Sequence, residues 1–357
     1  MPTYYCDAAA VGLNNGTSWA DAWTVYSSSL AAPVAAGDTV LSRGTFALAG
    51  VMTHGVSGTA AAYIQHIGCN AAGVDDGTRV IFDGAGAAIN LWAMASKSFI
   101  LHKNFTFRRA QAGIFFTVGS SNGMIFLNCL AELMSSTGIS GSGITCTGGR
   151  FVRGEIRNCT FSAANGANGM AYTDSMFHLN GIGIQADYVG AENCIFANNT
   201  GVGLQAGYSG YGLVQSRHNI FYNNGTGMRV VRAQTVSNSE YNKFISNGTA
   251  VLLDNATCLV QRRNGYFGNG AKYSIGVGSS VFDLEGNVDM LSHGLVDPAA
   301  GKFQNLSNSE LKNLKTIINA NNSVWESAGL PQEIAAAGGG GFGYGSHRRI
   351  SKRAEGR

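Results

Sequence analysis

One aromatic position recurs along this chain at nearly constant spacing. Superposing NCIFANNTGVGLQ (193–205), NIFYNNGTGMRV (219–230) and NKFISNGTAVLL (242–253) aligns Phe107, Ala131, Phe161, Phe196, Phe221, Phe244 and Phe267. The steps are 24, 30, 35, 25, 23 and 23 residues, a period that signals a repeat architecture. Each unit has an apolar run ending near the Phe, then Asn-rich turn residues, then a Gly with an apolar residue, as in Gly113-Ile114, Gly138-Ile139, Gly169-Met170, Gly203-Leu204 and Gly227-Met228. No unit carries a long 3.6-residue apolar stripe, so helical repeats are excluded, and the regular Leu spacing of leucine-rich repeats is missing. About 23 residues suit three short strands and three bends, stacked at about 4.8 Å per rung. The expected fold is all-β, a single-stranded parallel β-helix, with the Phe positions as a buried column.

Two further columns follow from that alignment. Three residues before the Phe stand Asn104, Asn128, Asn158, Asn193, His218, Tyr241 and Asn264. Asn tolerates the left-handed conformation of a tight bend, so these are bend residues. Four before the Phe stand Lys103, Leu127, Arg157, Glu192, Arg217, Glu240 and Arg263, alternating in sign from Arg157 onward. A salt-bridge ladder between rungs is the favoured reading over a catalytic Glu192/Glu240 pair, since each Glu has two Arg neighbours.

The Asn-x-x-Phe-x-x-Asn motif followed by Gly-Ile/Leu resembles the repeat of right-handed parallel β-helix proteins, the group that includes pectate lyases and phage tailspikes. YYCDAAAVGLNNGTSWADAW (4–23) and AAGDTVLSRGTF (35–46) resemble their N-terminal cap and first coil. TRVIFDGAGAAINL (78–91) resembles a second coil, and LVDPAAGKF (295–303) the exit from the helix. The resemblance spans about residues 1–335 and implies a fold rather than an activity, because this fold hosts lyases, hydrolases, adhesins and inert virion parts. The expected organisation is an N-terminal cap and first coil over 1–50, the β-helix over 51–300, a C-terminal cap with a short helix over 301–335, and a tail over 336–357. The helix would start at the capping box Ser307–Glu310, with Leu311, Leu314 and Ile317 behind it.

Composition narrows the classes further. Gly is 50 of 357 residues while Pro is 4 and charged residues are 13%, which fits turns between many strands rather than disorder. No apolar run is long enough to cross a membrane. MPTYYCDAAAVG lacks the basic and apolar regions of a secretory signal, so none is expected. The 7 Cys show no CxxC or His-paired metal spacing and read as free buried thiols. Residues 346–357 hold five basic side chains against one acid, a net +4; with +3 overall, the other 345 residues carry −1. A basic face for nucleic acid is therefore absent from the body.

Glycoside hydrolysis needs two carboxylates flanking the bond, and lyase chemistry needs a base beside a carboxylate-bound cation. Asp75-Asp76 precedes Gly and reads as a turn, while Asp174, Asp187 and Asp254 stand singly. The polygalacturonase signatures Asn-Thr-Asp, Gly-His-Gly and Arg-Ile-Lys are missing. No catalytic residue, metal or cofactor is assigned. The stretch AYTDSMFHLNGIG (171–183) makes its coil too long and is expected to protrude, near GYSGYG (207–212). Asp174, His178, Asp187, Tyr188, Tyr208 and Tyr211 form a candidate sugar-stacking patch, with loop cover or subunit contact as the competing reading. In the tail, Phe342, Tyr344, Arg348, Arg349, Lys352 and Arg353 form a candidate anchor to a partner.

These features favour a structural virion component of a tailed bacteriophage: a decoration, appendage or tailspike-like protein. Its partners would be other virion proteins of the capsid or tail, with host-surface polysaccharide as a further ligand, in a homo-oligomer or larger assembly. The alternative is a polysaccharide depolymerase on the same fold.

Overall fold

Strands of two to nine residues follow one another from Thr3 to Asp289, each turning a corner into the next. This computed structural model describes residues 1–305 apart from 95, 117–120, 208–212, 232–235, 255–257, 286, 291–294 and 299–301. Successive strands fall into three parallel sheets of twelve, eleven and ten strands, here sheets A, B and C in the order the chain visits them. Every third strand pairs with its counterpart one rung on, which is a parallel β-solenoid. The expected helix after Ser307 and the tail lie outside the described residues.

Three inward columns fill the lumen. Sheet B contributes Phe46, Phe82, Phe107, Ala131, Ile156, Phe177, Phe196, Phe221, Phe244 and Tyr266 in direct register. From Phe177 to Tyr266 the rings stack with centroids 4.8–5.3 Å apart and planes within 15° of parallel, so the rung spacing sets the stacking distance. The expected column holds at Phe107, Ala131, Phe196, Phe221 and Phe244 and fails at two positions. Phe161 is 44% exposed, on the turn before Ser162–Asn168. Phe267 packs outward against the outer side of sheet B, and its neighbour Tyr266 takes the inward place. The step of 35 residues hid a rung. Ala171–Thr173, Met176–His178 and Ile182–Ala186 form a complete short coil where a protrusion was expected.

The glycine at the second position of several sheet C strands has a steric cause. A Cβ on Gly227 would lie 2.6 Å from the Ala250 carbonyl oxygen and 2.8 Å from the Phe244 ring. In this rung the bare Cα lets sheet C close against the aromatic column, whereas Ala163 and Ala250 take the equivalent place in other rungs. Gly113, Gly138 and Gly203 meet the same crowding, whereas Gly169-Met170 falls after a strand instead of inside one.

Asparagines supply both the bends and a second set of ladders. Between sheets A and B, Asn104, Asn128 and Asn193 have φ of 62°, 52° and 53°, and Arg153, Asp174, His218, Tyr241 and Arg263 hold the same left-handed place in other rungs. Asn158 belongs to the next corner, between B and C, with Leu133, Asn198 and Asn223. Just inside that second corner, Asn180, Asn199, Asn224, Asn247 and Asn269 form a chain of amides. Each Oδ1 accepts from the backbone N–H one rung back, while Asn180, Asn199, Asn224 and Asn247 Nδ2 donate to the next Oδ1 at 2.8–3.2 Å. At the first corner Asn219, Asn242 and Asn264 Oδ1 likewise accept a backbone N–H one rung back, while their Nδ2 groups donate to the Ala191, Ser216 and Ser239 carbonyls. Buried backbone groups at the corners are thereby satisfied.

Candidate functional site

The outward face of sheet B carries the densest charge on the solenoid. Its strands Val80–Asp83, Phe105–Arg108, Leu130–Glu132, Glu155–Arg157 and Met176–His178 alternate out, in, out, so the residue after each inward side chain faces solvent. Register then stacks Asp83, Arg108, Glu132, Arg157 and His178 in one column of alternating charge. Arg108 binds Asp83 at 2.9 Å, and the exposed Arg109 at the following bend donates to the same carboxylate. Arg157 reaches Glu132 at 2.7 Å and Glu155, two residues back on its own strand, at 3.0 Å. His178 Nε2 donates to Glu155 Oε1 at 2.7 Å. Arg79, at the entrance to the sheet, donates to the backbone and side-chain oxygens of Asn128 at 2.9 and 2.8 Å.

These contacts fix the protonation of the acids. Hydrogen bonds from Arg109 and Arg108 push Asp83 down to about 2 despite its burial. Burial opposes the charge on Glu155, but the His178 hydrogen bond and the Arg157 and Arg79 guanidiniums outweigh it and hold the carboxyl below its usual range. A general acid near neutral pH needs the opposite shift. The strip is therefore equipped to hold charge, through four guanidiniums and three carboxylates, and not to deliver a proton from Asp83 or Glu155.

Further along sheet B the outward positions turn apolar. Ile195, Ala197, Ile220 and Ile245 are buried on this outer side and cluster with Met290, beyond the last strand of the sheet. Lys243 shares that face; it is fully buried, and burial pushes its amine down to about 7.

Of the residues expected from sequence to form a sugar-binding patch, the four that are described lie at different corners and faces of the coil. Asp174 sits at the bend between sheets A and B, where its Oδ1 accepts from Asn193 Nδ2 at 3.3 Å. His178 ends its sheet B strand and joins the charged strip. Asp187 and Tyr188 lie at the connection from sheet C to sheet A, a third corner of the coil. Tyr208 and Tyr211 lie outside the described residues, as do Phe342, Tyr344, Arg348, Arg349, Lys352 and Arg353. The expected charge ladder exists in altered form: Glu192, Arg217, Glu240 and Arg262 are in register, with Arg217 and Glu240 at 3.3 Å. Arg157 belongs to sheet B instead, and Arg263 occupies a bend beside Tyr241. Asp75 binds Lys103 at 2.5 Å, and Asp76 accepts from Asn70 and from the Thr78 N–H, so that pair forms a turn. Arg229 holds Asp254 at 2.7 Å. Among the described residues no group of three His, Cys, Asp or Glu is placed to hold a metal ion.

Sequence reasoning missed Arg79, Asp83, Arg108, Arg109, Glu132 and Glu155. The signal was present as the charge one residue after each inward position of sheet B. It becomes visible only once Ile156 and Phe177 take their places in the column.

Residues 88–288 match the family described as right handed beta helix region, more than half of the chain. The chain belongs to the right-handed β-helix family. No curated protein matches it. Among solved structures, this family member is similar to pectate lyase Pel9A, with 15% identity and a TM-score of 0.56, over 87% of this chain and 90% of that one. A rhamnogalacturonan lyase matches at 13% identity and TM-score 0.44, over 75% of this chain and 74% of that one. A GH136 lacto-N-biosidase from Eubacterium ramulus matches at 10% identity and TM-score 0.47, over 78% and 68%. At these identities the likeness is one of fold.

Proposed function

We propose that this β-helix is a structural protein without catalytic activity, serving as a rigid component of a tailed-phage virion. The observation that carries the structural reading is the engagement of its outer carboxylates across rungs. Asp7 is bound by Arg43, Asp83 by Arg108 and Arg109, Glu132 by Arg157, and Asp254 by Arg229, each on a neighbouring strand or bend. Carboxylates paired across rungs stabilise register, and Asp83, pushed down by its guanidiniums, is in addition a poor proton donor. The virion assignment draws on the near-neutral body and the basic end. There Phe342, Tyr344, Arg348, Arg349, Lys352 and Arg353 would anchor the protein to acidic groups of a capsid or tail protein. Cryo-imaging of purified virions labelled on this protein tests the assignment. Density at a fixed position that disappears on deleting 338–357 is expected; wild-type incorporation of the truncated protein contradicts the anchor.

The surplus of guanidinium on sheet B favours a second reading, a polysaccharide-binding or polysaccharide-degrading protein. Arg108, Arg109 and Arg157 keep part of their surface open, and His178 is the member of the proposed sugar patch that lies with them. Release of reducing ends or unsaturated sugars from acidic or neutral polysaccharides, abolished by Glu155→Gln, would establish this reading in place of the first.

A further inference from the structure

Inside the lumen, near its N-terminal end, three histidines touch one another. His66 and His102 occupy successive rungs of the sheet A inward column, between Val40 and Phe126, and His54 enters from beyond Met52–Thr53. Their ring centroids lie 5.1, 5.2 and 5.4 Å apart, and all three rings are sealed from solvent. Trp92, Phe105, Phe126 and Tyr26 close the nest. His66 Nδ1 shares a hydrogen bond with the Tyr26 hydroxyl at 3.1 Å, whereas both nitrogens of His54 and His102 and Nε2 of His66 have no hydrogen-bond partner among the described residues. The same sheet A column later holds Ser216, Ser239 and Gln261, which hydrogen-bond with Asn242, Asn264 and Tyr266; the His102 imidazole makes no such bond among the described residues.

We propose that this nest is an acid-sensitive latch, which keeps the N-terminal coils closed while its imidazoles are neutral and releases them once the imidazoles take up protons. The closed lumen has nothing to receive a proton. Tyr26 offers a hydroxyl, Cys6 and Cys129 lie beside Tyr26 as thiols that burial pushes up to about 12, and the charges acting on the imidazoles are their own and that of Lys97. The charges of the neighbouring imidazoles and of Lys97 oppose a second positive charge. Burial pushes His66 down to about 3 and the other two well below the ordinary imidazole range. With folded values depressed, the unfolded or opened state binds the protons. The contribution to stability is complete above the unfolded value of 6.5 and is lost as pH falls below it toward the folded values. Each imidazole multiplies the opening constant by up to about tenfold per pH unit in that range, so three acting together give up to about a thousandfold.

Hydrogen exchange on the full chain tests this, with rates corrected for intrinsic pH dependence. Between pH 7.5 and 5.0, opening at Thr39–Arg43, Ile64–Gly68 and Ile100–Lys103 should increase on the order of 10⁴-fold, since each imidazole supplies about 30-fold. Ile195–Ala197 and Ile220–Tyr222 should rise by only a few-fold, the share of the buried Lys243 beside Ile220. The window lies above the titration of Asp83, whose carboxyl is pushed down to about 2, so the Asp83–Arg108 pair does not contribute. His102→Phe, which repeats the Phe126 ring of the next rung, should reduce the rise by about 30-fold. His66→Phe with His102→Phe should leave about 30-fold; if that double variant does not fold at pH 7.5, the single variant decides. Equal pH response in the two sets of strands, or an undiminished response in His102→Phe, overturns the proposal.

Discussion

Asn198 and Asn199 are adjacent in sequence and do different work. Asn198 takes the left-handed bend at φ 55°, while Asn199 turns inward and links the Phe177 carbonyl to Asn224. The pair repeats at Asn223 and Asn224. Replacing Asn224 by Leu strands the buried Asn199 N–H, which donates to Asn224 Oδ1. The expected loss is about 1–3 kcal/mol for the stranded group, measured by urea unfolding. Asn223→Gly should be nearly neutral, because Gly accepts the same φ. That the asparagines make bends was legible from their spacing. Which member of each pair faces inward was not, because Asn198-Asn199 and Asn223-Asn224 place the same residue type at both positions and only the strand register separates them.

At the scale of the strand, the position facing the lumen decides cost. Phe177 is fully buried between Ile156 and Phe196, whereas Phe161 stands on an exposed turn. Phe177→Ala should lose roughly 3–5 kcal/mol through cavity formation, and Phe161→Ala well under half of that. Comparable losses for both would contradict the register described here. Gly227→Ala forces a Cβ against the Ala250 carbonyl and the Phe244 ring and should cost about 1–3 kcal/mol in the same assay. The period of about 23 residues exposed the repeat where coils are uniform, from Phe196 to Phe244. It failed where the chain shortens its corners: Ile156, Phe177 and Phe196 are 21 and 19 residues apart, and Ile156 replaces an aromatic anchor. Losing that rung displaced Arg157 into the wrong column. The charged strip on sheet B disappeared with it.

For the whole molecule, each rung contacts only its neighbours, so stability accumulates from rung interfaces, and register must be kept along the full length. The lumen maintains it with stacked rings and amide chains; the outside maintains it with ion pairs from Asp7–Arg43 to Asp254–Arg229. The central claim is that the sheet B acids belong to this second system and are not reaction machinery. A double-mutant cycle of Glu155→Gln and Arg157→Gln, read by global urea unfolding beside polysaccharide cleavage, tests it most directly. Each single change should destabilise the solenoid, with a coupling of about 1 kcal/mol or more between them and no cleavage by any of the four proteins. A coupling below about 0.3 kcal/mol, together with wild-type cleavage that Glu155→Gln abolishes, would contradict the account.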